Sequence, residues 1–174
     1  GAAETYLSLM LDPVAAGVRV MMAAQGGVDI ETQAATPGAV RSATVAPHLP
    51  ELAARTAKLT TGFTPHVAHA LNNAAGALAK VFLEAELSLL EINPLFVRAD
   101  GSWLAGDAKI VTDDNALYRQ PRQRALLEDR AVAYVEAQRK LQHGCDYVVV
   151  DPDGEIGLLT TGAGLSMMLI DELR

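Results

Sequence analysis

Two carboxylates, an amide and an ammonium group are spaced along one segment of the sequence so that a hairpin would bring them together. The segment, residues 89–109, reads LLEINPLFVRADGSWLAGDAK, with an Asp-Gly turn signal near its middle. A three-residue loop with glycine in the left-handed position would place Asn93 opposite Asp107 and Glu91 opposite Lys109. Because strand side chains alternate between faces, all four would lie on the same face of the hairpin.

Such a group of side chains suits a hard divalent cation. Mg²⁺ takes oxygen ligands and keeps waters and substrate phosphates in its remaining positions, so a carboxylate and an amide oxygen are suitable protein ligands. The alternative is a half-exposed antiparallel hairpin with ordinary solvent-facing polar residues, which the pattern alone favours. A register shift of one residue would also separate the four side chains.

The composition describes an ordinary globular protein and excludes several functions. Half of the 174 residues are hydrophobic and a fifth are charged. The net charge of −7 argues against an electrostatic nucleic-acid surface, while binding of ATP or coenzyme A stays open. No apolar run approaches a membrane span. From the charge we expect no nucleic-acid partner, and from the lack of such a run we expect no membrane partner. The single cysteine, Cys145, excludes an internal disulfide and favours a reducing compartment.

Apolar patterning predicts an antiparallel sheet with helices in the first part of the chain. Strands are expected at Thr5–Leu11, Val18–Ala24 and Val40–Ala46, the first two as a hairpin. Thr64 and Pro65 predict the cap and first residue of a helix. Residues at helical spacing define its expected buried face: Val67, Leu71, Ala74, Leu78, Val81, Phe82 and Ala85.

The last fifty residues have a different pattern. The expected elements are a helix, two short strands and a final helix, at Leu126–Leu141, Tyr147–Val150, Ile156–Thr161 and Leu165–Arg174. This alternation is typical of the start of a parallel α/β unit. We therefore predict the α/β fold class, with an α+β domain of antiparallel sheet and helices over residues 1–125 and the start of the parallel unit over residues 126–174. Because Gly1 is not methionine and a strand begins almost at once, we expect a piece of a longer protein.

Seven short motifs, in order and with compatible spacing, resemble one family. They are Tyr6-Leu7-Ser8, Gly26 to Glu31, Glu91 to Leu95, Asp107 with Lys109, Asn115 to Gln120, Gly154 to Gly157 and Gly162 to Met167. The family is that of the succinyl-CoA synthetase β subunit, among the ATP-grasp acid–CoA ligases, with malate–CoA ligase and ATP-citrate lyase as relatives. The resemblance implies the C-terminal half of an ATP-grasp domain at 1–125 and the N-terminal part of a flavodoxin-like CoA-ligase domain at 126–174.

The resemblance also implies roles for the hairpin residues. Asn93 and Asp107 would be the Mg²⁺ ligands at a site for ATP or GTP. Glu91 would stabilise a phosphohistidine carried by a partner α subunit, which also holds the coenzyme A site. Lys109 would face phosphate or pair with Glu91. The implied reaction forms acyl-CoA from a small carboxylic acid through an acyl phosphate, in the cytoplasm or the mitochondrial matrix.

The family's acid-binding loop is Asn-Gly-Ala-Gly, and it matches Thr161, Gly162, Ala163 and Gly164 here. A free helix N-terminus at this point could receive a carboxylate or a phosphate. Because threonine replaces asparagine, malate or another small acid stays open beside succinate. The family's adenine-binding residues lie outside the sequence, so this piece alone is expected to be inactive. A non-catalytic interaction module that keeps the fold is the alternative from another class.

Other chemically notable side chains are expected to be structural. His66 and His69 lie one helical turn apart, but no third ligand appears at a suitable spacing, so an exposed helix face is expected. Cys145 precedes an apolar run and is expected to be partly buried. The basic cluster that begins at Arg119 is expected to be a solvated connector.

Overall fold

The computed structural model describes residues 2–27, 30–130 and 133–172. The chain forms two compact units, residues 1–129 and residues 130–174. The predicted identities of the domains at 1–125 and 126–174 stay predictions. Within the described part of the chain, no helix is both long and apolar enough to cross a membrane.

The first unit is built on one antiparallel sheet. Its strands are β1 (Ala3–Asp12), β2 (Gly17–Ala23), β3 (Val40–Val45), β4 (Leu87–Val97), β5 (Trp103–Ala105) and β6 (Ala108–Thr112). The order is β3-β2-β1-β4-β5, and β6 also pairs with β4. All three strands predicted before residue 50 are confirmed. The hairpin between β1 and β2 pairs Asp12 with Gly17, as the turn-rich connection indicated.

The helices of this unit lie between successive strands in the sequence and after the last strand. They are α1 (Ile30–Ala34), α2 (Leu49–Leu59), α3 (Pro65–Glu84), a 3₁₀ helix (Asp114–Arg119) and α4 (Pro121–Asp129). The sequence analysis did not predict α2, of which Leu52 and Thr56 are buried.

Helix α3 begins at Pro65 with Thr64 as its N-cap residue, as predicted, but the cap lacks a side-chain bond and the buried face is narrower than expected. The Thr64 hydroxyl makes no capping hydrogen bond. Val81 is 46% exposed, whereas Phe82 beside it is fully buried. The buried stripe of α3 is therefore narrower at its C-terminal end than the spacing of apolar residues indicated.

Helices α2 and α3 form the hydrophobic core of the first unit together with one face of the sheet. Leu7 and Leu9 of β1 and their partners Ile92 and Leu90 of β4 belong to this core. Because side chains alternate along a strand, the residues between them face the opposite side of the sheet. One of these is Glu91, so the sheet face away from the core carries the polar residues of interest.

The second unit contains two helices, α5 (Val135–His143) and α6 (Ala163–Glu172). The single helix predicted at Leu126–Leu141 is wrong, because α4 ends at Asp129 and α5 begins at Val135. The start of the final helix is confirmed within two residues.

The two strands predicted in the second unit are also wrong. Neither Tyr147–Val150 nor Ile156–Thr161 forms a strand. Only residues 151–155 connect them, too few for a parallel crossover, which needs about a dozen. No other strand within residues 133–172 offers a partner, and apolar side chains such as Leu159 stay exposed.

Candidate functional site

The tip of the second hairpin is a short loop that its own side chains stabilise. The Arg98 N–H donates to the Ser102 carbonyl at 2.9 Å, and Gly101 has a φ of 80°. Asp100 accepts hydrogen bonds from the Ser102 hydroxyl at 2.6 Å and from the Ser102 N–H at 2.9 Å. These bonds hold the pKa of Asp100 below its usual value. The three-residue loop with left-handed glycine is confirmed.

This loop sets the register of the strands behind it. Glu91 of β4 pairs with Lys109 of β6. Two residues nearer the tip, the Asn93 N–H donates to the Asp107 carbonyl at 3.3 Å. The predicted pairing across the hairpin is thus confirmed, and it brings the four polar residues into neighbouring positions.

A bulge in the ladder between β1 and β4 lies at the same place. The register shifts between Thr5 and Leu7, so Tyr6 alone faces two residues of β4, Asn93 and Pro94. The Asn93–Pro94 peptide bond is cis. A bulge changes the phase of side-chain alternation, so the apolar residues of β4 on both sides of it reach the core.

The turn that follows β2 fixes the side chain of Asn93. The Gly27 N–H donates to Asn93 Oδ1 at 2.7 Å, and Gly27 has a φ of 71°. The preceding Gly26 donates its N–H to the Glu4 carbonyl, and a Cβ on Gly26 would lie 2.1 Å from the Thr5 carbonyl oxygen. Glycine is required at position 26, because the turn passes directly against the backbone of β1, and the left-handed φ favours glycine at position 27.

Glu91 is held from the neighbouring strand. The Tyr6 hydroxyl donates to Glu91 Oε2 at 3.1 Å. Tyr6 is 1% exposed, whereas Glu91 is partly buried. Ser8, the residue of β1 that pairs with Glu91, is completely buried, and its hydroxyl has no hydrogen-bond partner.

The remaining two side chains of the hairpin are exposed. Asp107 Oδ1 accepts a hydrogen bond from the Ala108 N–H at 2.8 Å. No ion pair joins Lys109 to Glu91, although both belong to the described residues, so pairing within the hairpin does not neutralise Lys109. Among described residues, no three His, Cys, Asp or Glu side chains are grouped to hold a metal.

Part of the site and most of the sheet that carries it lie within a recognisable sequence region. A family model described as the ATP-grasp domain matches residues 2–97, more than half of the chain. The chain belongs to the ATP-grasp domain family. Within this ATP-grasp region lie Glu91 and Asn93, whereas Asp107 and Lys109 follow it on the returning strand.

Individual proteins similar to this ATP-grasp chain are β subunits of ADP-forming succinate–CoA ligases. The chain is 40% identical over 178 residues to the subunit of Bacteroides thetaiotaomicron, covering 99% of the chain and 46% of that subunit. It is 38% identical over 175 residues to the subunit of Chloroflexus aurantiacus, covering 98% of the chain and 45% of that subunit. The chain thus spans about half the length of the curated relatives it matches.

A solved structure with the same fold is ATP citrate lyase from Methanothrix soehngenii, in complex with citrate and coenzyme A. The TM-score is 0.68 at 16% sequence identity, and the match covers 98% of this chain and 41% of that one. At this identity the likeness is evidence for the fold. It agrees with the predicted combination of antiparallel sheet and helices.

The second predicted site of this ATP-grasp chain lies in the second unit. Thr161 and Gly162 are exposed and directly precede α6. The Ser166 N–H and hydroxyl both donate to the Gly162 carbonyl, at 3.0 and 2.9 Å. Thr160 and Ser166 are joined through their hydroxyls at 2.5 Å. The loop therefore ends at a helix N-terminus, where the sequence placed it.

Three other predictions are settled by exposure and contacts. Cys145 is exposed, so the expectation of partial burial is wrong. Arg119 is not merely a solvated connector, because its guanidinium donates to both carboxylate oxygens of Glu86. His69 is exposed as expected, and its Nε2 lies 2.9 Å from the Asn73 amide nitrogen, one helical turn away.

Sequence reasoning did not assign roles to Tyr6, Gly26 and Gly27, although the resemblance had included all three residues. A glycine pair directly after a strand signals close backbone approach, so the turn could have been found. The contact from Tyr6 to Glu91 joins positions far apart in the sequence and carried no local signal.

Proposed function

We propose that this chain forms the metal- and phosphate-facing part of the nucleotide site in an acid–CoA ligase of the succinyl-CoA synthetase type. One observation carries the proposal: the hairpin register places Asn93 beside Asp107 and Glu91 beside Lys109, away from the hydrophobic core. The oxygen donors of Asn93 and Asp107 and the charged groups of Glu91 and Lys109 thus occupy neighbouring positions on one sheet face. Similarity to succinate–CoA ligase β subunits supports the same reaction class.

The side chains fit Mg²⁺. The Asn93 side chain offers an amide oxygen, Oδ1, which the Gly27 N–H holds in place, and amide oxygens are among the ligands that Mg²⁺ accepts. The second carboxylate oxygen of Asp107 accepts no hydrogen bond from the described residues. When bound, Mg²⁺ would supply charge neutralisation for the phosphates of ATP or GTP, and it would complete its coordination with those phosphates and with water.

Glu91 and Lys109 would act on the group that is transferred. A carboxylate can accept a hydrogen bond from an imidazole N–H and thereby orient the ring, which suits a phosphohistidine brought by the α subunit. The Lys109 ammonium, not paired with Glu91, could lie against phosphate oxygens. Phosphoryl transfer needs positioning and charge stabilisation more than covalent participation, and these side chains provide both.

The overall reaction proposed for the complete ligase joins a small carboxylic acid to coenzyme A. A nucleoside triphosphate is converted to the diphosphate and phosphate, through an acyl phosphate and the phosphohistidine. The loop from Thr161 to Gly164 would contact the acid or the phosphohistidine at the start of α6. Because the Thr161 hydroxyl is shorter than an asparagine amide, malate or another small acid is a candidate beside succinate.

The test is the Mg²⁺ dependence of turnover in the complete protein with its α subunit. We expect Asp107→Asn and Asn93→Ala to raise the Mg²⁺ concentration for half-maximal turnover by at least about tenfold, because the first removes the negative charge of a ligand and the second removes a ligand. Asp100→Asn alters a carboxylate at the loop of the same hairpin and should leave this concentration unchanged.

Two results would contradict the proposal in different ways. Unaltered Mg²⁺ dependence in both ligand variants would show that Asn93 and Asp107 are not metal ligands. A complete protein that binds its α subunit but never forms acyl-CoA from any small acid would identify a non-catalytic interaction module.

A further inference from the structure

The clearest unassigned contact near the site is the one between Tyr6 and Glu91. We propose that the Tyr6 phenol is a positioning residue, which holds one oxygen of the Glu91 carboxylate and leaves the other for the transferred group. This inference rests on the function proposed for Glu91 and adds a residue from another strand to it.

Tyr6 is well placed to hold a partner rigidly. Its side chain is 1% exposed, yet it lies outside the core cluster formed with α2 and α3. In the ladder it stands alone against the bulge at Asn93 and Pro94. A buried tyrosine has few rotatable bonds, so its hydroxyl is ordered before any ligand arrives.

The hydrogen bond gives the two carboxylate oxygens of Glu91 different environments. Oε2 accepts from the Tyr6 hydroxyl at 3.1 Å. Oε1 accepts no hydrogen bond from the described residues, and the residue is partly exposed. A carboxylate fixed through one oxygen presents the other in a defined direction, as supporting hydrogen bonds do in preorganised sites.

The neighbouring hydroxyl on β1 makes no such contact. Ser8 stands directly opposite Glu91 in the ladder and is completely buried, but its hydroxyl donates to no group. Of the two hydroxyls on this face of β1, only that of Tyr6 binds the carboxylate.

The experiment compares Tyr6→Phe with Thr5→Val in the complete ligase with its α subunit. Thr5→Val is the matched control, because the Thr5 hydroxyl donates to the Leu95 carbonyl at 2.8 Å between the same two strands. We expect Tyr6→Phe to lower kcat by about tenfold, the effect of losing a hydrogen bond to a charged group, with the nucleotide KM unchanged. Thr5→Val should lower the melting temperature and leave kcat unchanged.

A double-mutant cycle with Glu91→Gln shows whether Tyr6 acts through Glu91. If it does, Tyr6→Phe will lower kcat in the wild-type background and have no further effect beside Glu91→Gln. Glu91→Asp, which withdraws the carboxylate from Tyr6 and leaves β1 unaltered, tests the same contact independently. Its kcat should fall, and further loss on adding Tyr6→Phe would contradict the inference.

The outcomes separate this inference from the proposed function. Wild-type kcat in Glu91→Gln would contradict the role of Glu91 and remove the basis for Tyr6 as well. An impaired Glu91→Gln with a normal Tyr6→Phe would overturn only the positioning role. An equal loss of kcat in Thr5→Val and Tyr6→Phe, or a full additional loss in the double variant, would also overturn it.

Discussion

The Gly27 N–H donates to the side-chain oxygen of Asn93 at 2.7 Å, joining residues 66 positions apart in the sequence. The donor identifies the facing atom of Asn93 as its carbonyl oxygen, because an N–H cannot bind the amide nitrogen. The turn after β2 is therefore a support for the predicted metal ligand. The next residue back, Gly26, allows the turn to lie against β1.

We expect Gly26→Ala to destabilise the protein far more than Gly38→Ala. A Cβ on Gly26 would lie 2.1 Å from the Thr5 backbone oxygen, and backbone cannot move aside as a flexible side chain can. Gly38 has a φ of 80° but nothing within 4 Å of its Cβ position, so its substitution costs only the left-handed strain, about 1–2 kcal/mol. For Gly26→Ala we expect about 3 kcal/mol or more. Urea unfolding measures both, and equal losses would contradict the close approach.

Truncation of two adjacent residues on α3 should change the free energy of unfolding by very different amounts. Phe82 is fully buried in the core, so Phe82→Ala should reduce the free energy of unfolding by about 3–5 kcal/mol. Val81 is 46% exposed, so Val81→Ala should change it by less than about 0.5 kcal/mol. Denaturant unfolding of both variants tests which face of α3 is buried. A large loss of unfolding free energy in Val81→Ala would show that the buried face of α3 is as wide as the spacing of apolar residues predicted.

Acid should weaken the protein partly through Glu86. Hydrogen bonds from Arg119, and then from Gln120, hold the pKa of Glu86 below its usual value of 4.5. Because the folded-state pKa is the lower one, this contribution is present above about pH 4.5 and is lost as the pH falls through the folded-state pKa. The stability advantage of wild type over Glu86→Gln should therefore shrink as the pH falls below 4.5.

Thermal unfolding at several pH values between 7 and 3 measures this effect. Glu84→Gln is the control, since that side chain is exposed and forms only a 3.8 Å pair with Lys80. An advantage over Glu86→Gln that does not change with pH would contradict the stabilising role of the Arg119 pair.

The acid preference of the complete ligase should depend on Thr161. Asparagine both donates and accepts toward a carboxylate, whereas threonine offers one shorter hydroxyl. We expect Thr161→Asn to raise kcat/KM for succinate relative to malate by about tenfold, the effect of one hydrogen bond. Steady-state assays with succinate, malate and other small acids measure the ratio. An unchanged order of preference would remove Thr161 from acid selection.

The sequence by itself determined the second hairpin and its polar face. The loop around Gly101 is local, and a two-residue period carries its register along both strands, so Asn93 and Asp107 could be paired by counting. The strands before residue 50 could likewise be predicted from local sequence, because apolar runs and turn residues mark them. Helix α2 was not predicted, although Pro50 in its first turn and the helical spacing of Leu52, Thr56 and Leu59 were a local signal for it.

Tertiary structure alone decided how the site residues are held. Tyr6 meets Glu91 and Gly27 meets Asn93 only because β4 lies beside β1, with a bulge opposite Tyr6. Strand neighbours and bulges depend on packing between segments distant in sequence, which no local pattern records. For the same reason the apolar runs at Tyr147–Val150 and Ile156–Thr161 misled the prediction, since a strand needs a partner as well as a suitable sequence.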